Sequence, residues 1–203
     1  GASNAWNEHG WIASARGSNG FILHPWKNQS SYQSVVIDDE GNYAQATPVW
    51  IVDASLPQFY GVIYDQSDWD QQFYTIINET RLPFPGSNIG ARANSDLVEV
   101  RYGWDFDNRF GEGMIAEHFI YNRRLFESHR KIVTNYVGAR YAMGMGNAQM
   151  YFRSMYPEDV AGIGRESEWD LHYDAQGTGA VRISDPTDME DGEYLFWGHD
   201  GAE

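Results

Sequence analysis

The chain has 203 residues, 29 acidic against 14 basic side chains, a formal charge of −15 and no cysteine. A length of this order accommodates one large β-sandwich, or a sandwich with a small appendage. The acidity disfavours nucleic acid, which is held by clustered Lys and Arg, and the lack of cysteine excludes disulfides and thiolate sites.

The first ten residues, GASNAWNEHG, have neither the basic nor the apolar region of a secretion signal, so the chain reads as a mature or excised segment. Trp11–Arg16 (WIASAR) and Gly20–His24 (GFILH) flank a GSNG turn and read as a hairpin. Tyr32–Ile37 runs into the turn residues Asp38 to Asn42, and Tyr43–Ala46 returns. Pro48–Val52, Gln58–Tyr64 and Phe73–Ile77 follow as strands, with Arg81–Phe84 coming back after Asn78 and Glu79. Asn88–Ala91, Leu97–Tyr102 and Met114–Tyr121 complete the series. About ten short strands, with turns every 8–12 residues or so, point to an all-β sandwich rather than to alternating strands and helices. Eight Trp, thirteen Tyr and ten Phe exceed what a core of this size asks for, which leaves rings for an exposed binding surface.

One helix is expected, at about 125–143. Leu125, Val133, Tyr136, Val137 and Arg140–Tyr141 recur at helical spacing, and Gly144 and Gly146 offer a stop. Its start is poorly marked: Phe126 stands where Ser, Thr or Asp would cap, and His129 where Glu would close a capping box. From Asn147 onward, Gln149–Met155, Asp159–Arg165, Gly179–Ser184 and Tyr194–Trp197 read as further strands. The division expected is a sandwich over 1–146 and a β-rich appendage over 147–203. The chain stops at WGHDGAE, hard against the last of these strands, so it reads as one module of a larger chain.

Three blocks carry a family resemblance. Gly113 to Leu125 is similar to "G-x-I-A-E-x-x-I-Y-N-R-x-L", and the following helix (YNRRLFESHRKIVTNYVGARYA) resembles "YNRxLSxxERxxIExYLAxKYG". Asp159–Arg165 (DVAGIGR) and Asp191–Asp200 (DGEYLFWGHD) resemble the "DIAGIGRD" and "DGDYLLWGHNG" segments that come next. The match is to concanavalin A-like, laminin G-like domains of large surface proteins in Bacteroidetes-like bacteria. It runs from about Pro48 to the C-terminus; the usual opening stretch is missing, and Glu79 replaces a hairpin Gly. The resemblance implies an antiparallel concanavalin-like jelly-roll β-sandwich with one short helix on its C-terminal side and a small β appendage. It further implies a cell-surface or secreted modular adhesin, or a lectin-like domain within one.

Calcium takes six to eight oxygen ligands, and two loops supply suitable groups: Asp65, Asp68 and Asp70 in one, Asp105, Asp107 and Asn108 in the other. The competing reading is Asx turns between strands. Laminin G-like relatives often hold calcium at a loop rim, so the resemblance implies Ca2+ as a cofactor. The loop from Phe21 to Tyr32 carries His24, Trp26, Asn28 and Tyr32, while Trp69 and Trp104 stand in the two acidic loops. Flat rings beside polar side chains suit the stacking and hydroxyl reading of a carbohydrate, or the gripping of a peptide. No run of about 18 apolar residues exists, so no membrane insertion is expected. Sandwich glycoside hydrolases place "E-x-D-x-x-E" on one strand; no such triplet occurs, and Glu112 and Glu117 would face opposite sides of a strand. A structural spacer in a long adhesin is the other alternative to an adhesin or lectin-like module.

Overall fold

The computed structural model describes residues 13–16, 20–26, 31–37, 43–46, 56–64, 73–78, 80–83, 99–102, 114–152 and 155–201. These residues are sheet-rich, with one α-helix and several antiparallel sheets. They fall into two compact units. One is Gly1–Leu56, Gly61–Ile76 and Arg81–Asn122; the other is Pro57–Tyr60, Ile77–Thr80 and Arg123–Glu203.

In the first unit β1 (Ala13–Arg16), β2 (Gly20–Trp26), β3 (Ser31–Ile37) and β4 (Tyr43–Ala46) form an antiparallel meander. A separate three-stranded sheet, whose residues are divided between the two units, is made by β5 (Tyr60–Tyr64), β6 (Phe73–Ile77) and β7 (Thr80–Pro83), with β6 in the middle. Neighbouring Ile76 and Ile77 are both buried, so β6 is covered on both faces there. After it Asn78 turns with φ of 44°. Its backbone N–H donates to the Phe59 carbonyl at 2.8 Å, and its side-chain oxygen accepts the Phe59 N–H at 2.8 Å. The last strand of this part, β8 (Glu99–Tyr102), pairs with β1 and completes the order β4-β3-β2-β1-β8.

The alternating pattern predicts a strand over Met114–Tyr121, but residues 114–120 adopt no regular structure. Met114 is 93% exposed and Ile120 61%. Alternation marks a face that could be covered; it does not supply the neighbouring strand whose backbone groups a strand must meet. The expected strands at Pro48–Val52 and Asn88–Ala91 lie outside the described residues.

The second unit is built around α1 (Glu127–Arg140), which packs on β9 (Glu158–Ser167) and β10 (Asp170–His172). A hairpin of β11 (Asp174–Gly177) and β12 (Val181–Ser184) follows, and β13 (Tyr194–His199) pairs with β9 in the order β10-β9-β13. The G-x-G of β9 has a physical reason. Gly164 is paired with Tyr194 and Gly162 with Phe196, and the two rings stack at 5.9 Å over the space that side chains would fill.

The helix differs from its expected form in two ways. Its buried residues are Ser128, Thr134, Asn135, Val137, Gly138 and Ala139, so only Val137 of the expected apolar stripe is fully covered. Small side chains permit close approach: a Cβ on Gly138 would come within 2.9 Å of the buried Met145 side chain. The stop is also earlier than Gly144. Ala142 turns with φ of 58°, and the Met143 N–H reaches the Gly138 carbonyl at 3.0 Å, closing a Schellman turn on an alanine. Beyond it Gly146–Ala148 form a 3-10 turn, and the expected strand at Gln149–Met155 does not form among its described residues.

Candidate functional site

Three of the expected ligand-binding residues fall on one hairpin. His24 and Trp26 belong to β2 and Tyr32 to β3, where His24 pairs with Gln33, Pro25 with Tyr32 and Trp26 with Ser31. The expectation of a long loop from Phe21 to Tyr32 is therefore corrected: the strands extend to Trp26 and Ser31, and only residues 27–30 connect them. Asn28, Trp69 and Trp104 lie outside the described residues, as do the metal candidates Asp65, Asp68, Asp70, Asp105, Asp107 and Asn108. Glu112 is likewise outside them, and Glu117 is exposed in the irregular segment before the helix. Among the described residues no group of three or more His, Asp or Glu side chains is arranged to hold a metal.

The polar chemistry that is fully described belongs to the helix-bearing unit. Phe126 offers no side-chain cap to α1, and the cap comes instead from the β9–β10 turn. The Asp170 carboxylate accepts the Glu127 N–H at 2.8 Å on one oxygen and the Ser128 N–H at 3.0 Å on the other. The turn itself is fixed by Ser167, whose hydroxyl accepts the N–H groups of Trp169 (3.3 Å) and Asp170 (3.2 Å). Trp169 at its tip is 80% exposed, the kind of rigid aromatic platform that a ligand can stack on. The reading of loop tryptophans missed it, although Ser167 and Asp170, both turn-favouring residues, flank Glu168-Trp169.

Beside the cap lie two imidazoles. His129 and His172 meet edge to face with centroids 4.8 Å apart. Partial burial lowers the pKa of both below the ordinary value; for His129 the neighbouring His172 and Arg123 push further down and Asp170 pulls back up. Asp174 pulls His172 up and Arg123 pushes it down. Ser128 places its hydroxyl 3.3 Å from His129 Nδ1. Ser128, His129 and Asp170 do not form a nucleophile–base–orienter relay. The serine is fully buried, and the carboxylate is bonded to backbone N–H groups rather than to an imidazole.

A second cluster joins Lys131, Glu166 and Tyr194. The lysine and the tyrosine hydroxyl both donate to one Glu166 oxygen at 2.5 Å, and Lys131 Nζ stands 5.3 Å from the Tyr194 ring centre. Burial and the adjacent carboxylate raise the Tyr194 pKa, so the phenol stays protonated as a donor. The acidic stretch Asp185–Gly192 is pinned rather than gathered. Arg165 donates to Asp191 at 2.6 Å and to the Met189 carbonyl at 3.3 Å, while the Glu190 N–H donates to Glu193 at 2.8 Å. In the first unit the Tyr102 hydroxyl is hydrogen-bonded to His118 Nδ1, and burial lowers the pKa of that imidazole.

Among the described residues no helix is long and apolar enough to cross a membrane. Compared with the profiles of protein families, with characterised proteins and with solved structures, the chain matches none of them.

Proposed function

We propose that this chain is a non-enzymatic ligand-binding module, adhesin- or lectin-like, of a secreted or cell-surface protein. It belongs with the concanavalin A-like, laminin G-like sandwiches, takes a carbohydrate or peptide ligand through the end loops of a jelly roll, and uses calcium at the acidic loops. The observation that carries the reading is the β2–β3 register. It sets His24 and Trp26 on one face of the last rungs of a hairpin and Tyr32, opposite Pro25, on the other, with Asn28 in the connection between the strands. Rings and hydrogen-bonding groups concentrated at one end of a sheet are the equipment of a surface reader. The net charge of −15 suits calcium and disfavours polyanionic partners. For the helix-bearing unit a structural role is favoured, since the carboxylates of Asp170 and Glu166 are committed to internal bonds.

Calcium is tested by thermal melting of protein freed of metal, with calcium and with excess chelator. A native-state ligand at a hundredfold excess over its dissociation constant adds about 2.7 kcal/mol. A clear upward shift, lost on Asp→Ala changes at Asp65, Asp68, Asp105 or Asp107, supports the metal sites. Identical melts remove calcium from the proposal.

A further inference from the structure

We infer that His129 and His172 form an acid-sensitive latch, which holds the start of α1 on the β9–β10 hairpin and releases it when the imidazoles take up protons. The placement argues for this. His129 is the third residue of α1, in the first turn, where the helix N-terminus disfavours positive charge. It occupies the position at which a Glu would close a capping box, so a charge that would strengthen the helix start is replaced by one that opposes it. His172 is on β10, the strand that follows the capping turn, and its ring meets that of His129 at 4.8 Å. Two imidazolium ions at that separation repel each other across the junction between helix and hairpin.

The charged groups facing the pair do not remove the conflict. Arg123, ahead of the helix, adds positive charge toward both rings. Asp170 attracts His129, but its oxygens already accept the Glu127 and Ser128 N–H groups. Asp174 on β11 attracts His172, but it is bonded through both oxygens to Arg182, at 2.8 and 2.5 Å. On α1 itself, Glu127 is paired with Arg130.

The direction of the effect follows from linkage. Both folded-state values lie below the ordinary 6.5, so an opened or unfolded form binds protons first as pH falls. The latch holds fully above 6.5 and loosens as pH drops from there toward the folded values. Opening is local, because the groups involved lie at one end of one helix.

The test is native-state hydrogen exchange of the whole chain at about pH 7.5 and about pH 5, corrected for intrinsic rates, with imidazole titration by NMR. The amides of Glu127 and Ser128 are expected to lose protection at the lower pH while those of β2 and β3 keep theirs. His129→Gln and His172→Gln are expected to abolish that loss. Protection unchanged by pH in the native chain, or an equal loss in the double variant, overturns the latch. Should the variants not fold, the titration of the native chain decides: both midpoints below 6.5 support the latch, and either at or above it overturns it.

Discussion

The β1–β4 meander and the helix-bearing unit are held together in different ways. In the meander, neighbours in sequence are neighbours in space, and each strand pairs with the one before it across a short connection. In the helix-bearing unit, single polar side chains bridge long separations. Asp170 caps a helix that begins 43 residues earlier, and Glu166 is reached by Lys131 from 35 residues away and Tyr194 from 28. Local pairing tolerates change at any one residue, whereas a bridge fails with its residue.

The largest effect should come from Asn135. It is 1% exposed; its amide donates to the Lys131 and Ala148 carbonyls (2.8 and 3.0 Å) and its oxygen accepts the Met150 and Tyr151 N–H groups (2.7 and 2.8 Å). Asn135→Ala deprives the Ala148 carbonyl and the Met150 and Tyr151 N–H groups, in part-buried bonds, of their side-chain partner, and a loss of about 3 kcal/mol is expected in urea unfolding. A loss under 1 kcal/mol or so would mean that water replaces the side chain, and the contrast between the two regions would shrink.

Gly164→Ala comes next. The added Cβ would run into the Tyr194 ring, which is bonded to Glu166 and stacked on Phe196. About 2 kcal/mol should be lost, with the near-ultraviolet dichroism of the rings changed. Asp170→Ala removes the cap and should cost about 1–2 kcal/mol, in the range of side-chain caps supplied locally. Equal stability with and without the carboxylate would show the N-terminus of α1 to be solvated instead. The smallest change has the opposite sign. Ala142→Gly relieves a left-handed alanine at φ of 58° and should raise stability by about 0.5–1 kcal/mol, read as a small rise in Tm.

The same contrast decides what could be read from the chain. Turn residues and alternation placed β1 through β4 to within a few residues, and Tyr43–Ala46 without error, because those signals are local. They also placed β9, β12 and β13. They missed β10 and β11, which are short and polar (DLH and DAQG) and become strands through tertiary pairing. The poor start of α1 was visible at Phe126, yet nothing local could name Asp170 as the cap. Ala142 ended the helix ahead of the glycines because the Gly138 carbonyl was met by the Met143 N–H, a bond no propensity encodes. Of the candidate site, residue types were legible throughout. Their placement is described only where β2 and β3 carry His24, Trp26 and Tyr32, and the strand read as Gly20–His24 runs on to Trp26.

The binding proposal is tested most directly by retention on arrays of immobilised glycans and peptides in the presence of calcium. The native chain is compared with Trp26→Ala and Tyr32→Ala variants whose melting is unchanged. The account predicts retention on one ligand class by the native chain and its loss in both variants. No retention on any surface, or retention equal in native chain and variants, would contradict a binding site at the β2–β3 hairpin.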